Sequence, residues 1–178
     1  YDYMGAGISG IGDLDGDDLP ELAVAAYGAA SYAGQIHIFS NVISGTLDAT
    51  DADTTMEGED RSDYCVQSHY TGHSADTMGD INNDGYNDVL IGCYYADGEE
   101  ANSGAAYIVF GSSDMLDSAS TSFVGHYALD RDADITLEGE ESYEYAGSSS
   151  VFVGDANGDS ITDLLIGAYY KDTSTSLY

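Results

Sequence analysis

Three short apolar runs stand out against a polar chain: LAVAAY (22–27), VLIGCY (89–94) and LLIGAY (164–169). Each is bounded by turn-forming residues, which predicts a buried β-strand rather than a helix. QIHIF (35–39) and AYIVF (106–110) predict further strands. The stretches rich in Gly, Ser and Ala that precede the long runs predict strands whose backbones can approach closely. With 22 Gly, much Ser, Thr and Asp, and little Lys, Gln or Leu, helix is not favoured.

The pattern repeats. YDYMGAGISGIGD (1–13), SHYTGHSADTMGD (68–80) and YEYAGSSSVFVGD (143–155) align without a gap, each with Tyr third, Gly fifth and Gly-Asp at the end. The residues that follow also align, as do DADTTMEGE (51–59) and DADITLEGE (132–140). The units are therefore expected at 1–67, 68–142 and 143–178, the last one incomplete. A unit of about 70 residues holds about four short strands, and radial repetition of four-stranded sheets is one way to protect strand edges. The expected fold is all-β: a β-propeller-type repeat of four-stranded antiparallel blades, about two and a half of them present.

Each unit carries a nine-residue acidic loop between two apolar strands. Positions 1, 3, 5 and 9 hold Asp13, Asp15, Asp17 and Glu21 in loop one. They hold Asp80, Asn82, Asp84 and Asp88 in loop two, and Asp155, Asn157, Asp159 and Asp163 in loop three. Alternating carboxylate and amide oxygens can curl round one hard cation, and position 7 (Leu19, Tyr86 or Ile161) can add a backbone carbonyl. With no soft donor in any loop, Ca²⁺ is expected rather than Zn²⁺ or Cu, about three ions in all. An EF-hand would need an acid at position 12 and a helix after it. Here position 12 is Val24, Ile91 or Ile166, each within an apolar run. Only loop two has Gly (Gly85) at position 6, where a sharp turn favours positive φ.

These residues resemble the FG-GAP repeat of integrin α-subunit β-propellers and their prokaryotic relatives. The aromatic–Gly element is matched by Tyr3-Met4-Gly5, Tyr70-Thr71-Gly72 and Tyr145-Ala146-Gly147. The Gly-Ala-Pro element is matched by Ala25-Ala26-Tyr27, Gly92-Cys93-Tyr94 and Gly167-Ala168-Tyr169, with Tyr in place of Pro. Such departures point to a divergent, microbial branch. The resemblance implies that each loop joins the first two strands of a blade and binds structural Ca²⁺. It also implies a seven-bladed ring, of which this chain would be a segment.

Charge narrows the function classes. Against 33 Asp+Glu there are 3 Lys+Arg, for a net charge of -30. Such a surface repels phosphate backbones and anionic headgroups, so neither nucleic-acid binding nor membrane insertion is expected. No apolar run is long enough to span a bilayer as a helix. Disorder, the other common outcome of such charge, is opposed by 43% hydrophobic residues and 16 Tyr. Three Ca²⁺ would leave a charge of about -24, so a saline habitat is a second expected cause of the acidity.

Other motifs carry less. Gly5-Ala6-Gly7-Ile8-Ser9-Gly10 spells a dinucleotide fingerprint, but an Asp-rich loop follows instead of a helix. His69, His73 and Asp76 are too far apart along a strand to share an ion. No Ser or Cys has a base partner by spacing, and no enzymatic activity is expected. Cys65 and Cys93 are either bridged or two buried thiols. The chain opens at Tyr1 with no visible signal peptide, as in a mature or excised segment.

The expected function is a non-catalytic, calcium-binding, extracellular or cell-surface propeller segment for adhesion, with a protein or glycan ligand. One alternative is a structural subunit of an extracellular filament or surface layer, completed by strand pairing between neighbouring copies. Another is an accessory propeller of a secreted enzyme.

Overall fold

The computed structural model describes residues 1–40, 45–66, 75–116 and 126–171. Among the described residues, eleven strands form three sheets: β1 (Met4–Gly10), β2 (Leu22–Ala26), β3 (Gln35–Phe39), β4 (Thr54–Glu57), β5 (Ala75–Gly79), β6 (Asp88–Cys93), β7 (Ala105–Val109), β8 (Tyr127–Ala128), β9 (Ile135–Glu138), β10 (Ala146–Gly154) and β11 (Asp163–Ala168). Sheet one runs β1-β2-β3-β4-β8, sheet two β5-β6-β7-β9, and sheet three β10-β11. This is a partial all-β propeller. Neighbouring strands pair antiparallel, save one case. β8 lies parallel to β4 through Met56↔Tyr127 and Glu57↔Ala128. Sheet one therefore gains a fifth strand from the segment leading into β9, a departure from purely four-stranded antiparallel blades. Tyr127 is buried in the core and His126 pairs with Glu57 at 3.0 Å, which fixes that strand.

Side-chain alternation explains the continuous apolar runs of sheet two. Val89, Ile91 and Cys93 of β6, with Ala105, Tyr107 and Val109 of β7, join the core shared with Ile36, Ile38 and Met56 of sheet one. The intervening Leu90, Ala106 and Ile108 join Phe152, Leu164 and Ile166 of sheet three. Both faces of β6 and β7 are thus covered, so no polar position is left to mark their period. The outermost faces are different: Ile8 in sheet one is 59% exposed and Leu165 in sheet three 61%.

The openings of the units share an unusual backbone. Tyr3 and Tyr145 take φ of 53° and 56°, and Gly5 and Gly147 take 88° and 76°. Tyr64 (φ 50°) and Val66 (φ 59°) repeat this ahead of sheet two. Cys65 N–H donates to Ala33 O at 3.0 Å, as Ala146 N–H does to Ser103 O at 2.9 Å. Tyr70, Thr71, Gly72, His69 and His73 lie outside the described residues. Cys65 is disulfide-bonded to Cys93, which ties the chain leaving sheet one to the second strand of sheet two.

Among the described residues, three short helical segments punctuate the strands, the first of them at Ala29–Tyr32. Asp48 caps a 3-10 turn at Ala49–Asp51 through Thr50 N–H, and Leu129–Asp132 forms one helical turn before β9.

Candidate metal centre

All three acidic loops sit where the sequence puts them, between β1 and β2, β5 and β6, and β10 and β11. They share one internal hydrogen-bond scheme. The carboxylate at position 1 accepts from the N–H groups of positions 5 and 6: Asp13 from Asp17 and Asp18, Asp80 from Asp84 and Gly85, and Asp155 from Asp159 and Ser160, at 2.8–3.1 Å. The position 3 oxygen accepts from position 5 in Asp15, Asn82 and Asn157. The position 5 carboxylate accepts from the N–H of position 7, which is Leu19, Tyr86 or Ile161. Position 9 reaches back to position 2: Glu21 to Leu14 at 2.6 Å, Asp88 to Ile81 at 2.7 Å, Asp163 to Ala156 at 2.8 Å. Every carboxylate is thereby aimed at the inside of its loop, as Asx-type turns require.

Position 6 is left-handed in every loop, with φ of 68° at Asp18, 97° at Gly85 and 72° at Ser160. Position 4, which the sequence pattern did not single out, is left-handed too: 81° at Gly16, 59° at Asn83 and 84° at Gly158. Gly, Asn and Asp tolerate that region, which accounts for most of these choices.

The loops differ in how far their acids converge. Among the described residues, Asp13, Asp15 and Glu21 form the one group of three acids whose ligand oxygens all lie within 4.8 Å of one another. Asp17 adds its charge beside them. Loops two and three carry Asn at position 3, and their acids do not meet that spacing. Glu21 is 1% exposed, and its Oε1 has no hydrogen-bond partner. Burial pushes its carboxyl up to about 7, Asp15, Asp13 and Asp17 push the same way, and the Leu14 N–H opposes them. Burial likewise raises Asp15 and Asp88, whereas the Ser160 N–H leads the backbone bonds that lower Asp155. A buried anion with an unmatched oxygen and like charges around it calls for a cation. An all-oxygen donor set fits a hard divalent ion. Loop one passes that test most fully.

The FG-GAP repeat family model matches residues 5–39 and 74–109, each spanning an acidic loop and its flanking strands. The chain thus carries FG-GAP repeats and is similar to the integrin α-like family. Integrin alpha-2 of Bos taurus is 38% identical over 98 residues, 55% of this chain and 7% of the integrin. Integrin alpha-2 of Mus musculus is 28% identical over 174 residues, 93% of this chain and 13% of the integrin. The FG-GAP chain thus spans a small part of the length of these relatives.

A second feature lies at the other end of the strands. Tyr3, which precedes β1, stacks on Tyr27, which follows β2, with centroids 4.7 Å apart. Tyr64, Tyr94, Tyr95, Tyr145, Tyr169 and Tyr170 continue as a chain of ring contacts at 4.2–6.3 Å. Tyr3, Tyr143, Tyr169 and Tyr170 remain exposed. The loops and these tyrosines therefore occupy opposite ends of the strand pairs.

Proposed function

We propose that this chain is a non-catalytic, calcium-stabilised propeller segment of an extracellular or cell-surface protein, serving adhesion to a protein or glycan ligand. The observation that carries the calcium reading is the buried Glu21 Oε1, unmatched and set among Asp13 and Asp15. Asp80, Asn82, Asp84 and Asp88 hold a second ion, and Asp155, Asn157, Asp159 and Asp163 a third. The carbonyls of Leu19, Tyr86 and Ile161 supply the position 7 oxygens. The repeat units are 1–67, 68–142 and 143–178. The exposed tyrosines form the ligand-facing rim, because an aromatic ring with a polar tip serves both protein and glycan contacts.

Thermal melts with excess calcium and with chelator at moderate salt test this reading. A ligand bound only by the folded state stabilises by mass action, so calcium should raise the melting temperature clearly. Identical melts would sink it. The exposed Ile8 and Leu165 on the outer sheet faces favour a second reading, in which copies of the chain cover one another. Sedimentation with calcium separates the two: concentration-dependent assembly supports the second, a monomer the first.

A further inference from the structure

Loop one is joined to loop two by a single residue that the repeat pattern leaves out. Asn87 occupies position 8 of loop two, between Tyr86 and Asp88. Its side-chain Oδ1 accepts the N–H of Asp13 at 2.9 Å, and its own N–H donates to the Asp13 carbonyl at 2.9 Å. Both peptide groups of the first acid of loop one are thus held by residue 87. Two flanking contacts run the same way. The Tyr86 ring lies over Gly16, where a Cβ would stand 2.6 Å from the ring. Asp88 Oδ1 accepts Gly111 N–H at 3.1 Å, and Gly111 itself abuts the Leu14 carbonyl.

The next pair of loops lacks this link. Position 8 of loop three is Thr162, whose methyl group abuts Gly79, the residue before loop two. No hydrogen bond joins loop three to loop two among the described residues. Position 8 of loop one is Pro20, which has no N–H to offer.

We propose that Asn87 is a positioning residue that couples the cation sites of loops one and two, so that a cation in either raises the other's affinity. The inference rests on the calcium reading above. Without an ion, each loop's carboxylates repel and the loop samples open states. Ordering Tyr86–Asp88 around an ion fixes Asn87, and through it the peptide groups of Asp13. Loop one then loses less freedom when its own ion arrives, which is positive cooperativity by shared ordering. The coupling is reciprocal, and about fivefold is the low end of what such coupling supplies. Loop three binds independently.

The test is calorimetric titration of the full chain with calcium. Asp159→Ala disables loop three and leaves loops one and two; adding Asp84→Ala leaves loop one alone. The paired loops should bind with a Hill coefficient above one, and loop one should bind about fivefold more weakly when alone. In the Asp159→Ala background, Asn87→Thr, which copies position 8 of loop three, should keep two ions bound but erase that difference. Should Asn87→Thr fail to fold, the native Asn87 provides its own control: Asp84→Ala must weaken loop one, while Asp159→Ala must leave loop two unchanged. Equal affinity of loop one with and without loop two overturns the coupling. An Asp84→Ala effect that survives in Asn87→Thr overturns the role of Asn87. Absence of any calcium binding overturns the underlying reading instead.

Discussion

Lys171 Nζ lies 2.6 Å from Glu144 Oε1, while Asp63, which holds Glu144's place one sheet earlier, has Ala96 where Glu144 has Lys171.. The equivalence is structural. Tyr170 N–H donates to the Glu144 carbonyl at 3.3 Å, and Tyr95 N–H to the Asp63 carbonyl at 3.2 Å. Lys171 also reaches Glu140 at 2.8 Å, and this pairing holds the Glu144 carboxyl below its usual range. Asp63 is 4% exposed and, among the described residues, accepts the Asp60 N–H at 2.8 Å. Burial, reinforced by Asp60, Asp97 and Glu59, pushes it up to about 6.

Asp63→Asn is therefore expected to stabilise the chain at neutral pH. A group whose folded pKa exceeds its unfolded value contributes stability below the unfolded pKa and loses it as pH rises through the folded one. For Asp63 that window runs from 3.8 to about 6. One pKa unit is worth about 1.4 kcal/mol, so the gain from Asn at neutral pH is on the order of 1–3 kcal/mol. The amide oxygen still accepts the Asp60 N–H. Urea unfolding of both proteins at several pH values should show the gap closing near pH ~4. A pH-independent gap would refute the assignment to Asp63.

Much of this was legible because it repeats. The strands of sheet two read plainly, since Val89–Cys93 and Ala105–Val109 are covered on both faces. The loop acids read plainly because each position recurs three times. Asn87 did not, because position 8 is Pro20, Asn87 and Thr162 in turn and its role exists only between loops. Tyr64 was hidden by a similar effect. An ungapped alignment chooses Tyr70, yet the left-handed backbone of Tyr3 and Tyr145 recurs at Tyr64, six residues earlier. β8 is two residues long, too short for any period, and its place depends on Glu57 across the sheet.

Glu21→Ala should abolish one calcium equivalent and, with calcium present, lower stability. The substitution strips the Leu14 N–H of its 2.6 Å acceptor in a buried position, which typically costs about 1–3 kcal/mol. Calorimetric stoichiometry falls by one, and the melting temperature in excess calcium falls with it. Unchanged stoichiometry would show that general acidity, rather than loop one, holds the ion.

Reduction of Cys65–Cys93 should destabilise the chain markedly. The bridge closes a segment of 28 residues, and the loop-entropy relation gives about 3–4 kcal/mol for that length. In sheet three the corresponding residues are Ala146 and Ala168, paired across β10 and β11. The double substitution to Ala therefore suits the local space, and its loss of stability reports the bridge itself. Denaturant midpoints for the oxidised, reduced and double-Ala proteins should place the last two together, below the first. Coincidence of all three would remove any stabilising role for the bridge.

Gly12 and Gly158 give a paired test of whether loop one is held by its neighbour or by itself. Both are left-handed, with φ of 66° and 84°. Gly158 has open space where a Cβ would go, so Gly158→Ala meets only the backbone penalty, about 1 kcal/mol. At Gly12 a Cβ would run into the Asn87 carboxamide, the group that holds Asp13. Gly12→Ala must therefore push Asn87 aside as well as strain the chain. Its stability loss should exceed that of Gly158→Ala, and calcium affinity at loop one should fall, whereas Gly158→Ala leaves loop one unaffected. Chemical denaturation and calorimetry on the two variants decide it. Equal losses would mean that the Asn87 contact gives way without cost, and that each loop stands on its own hydrogen bonds.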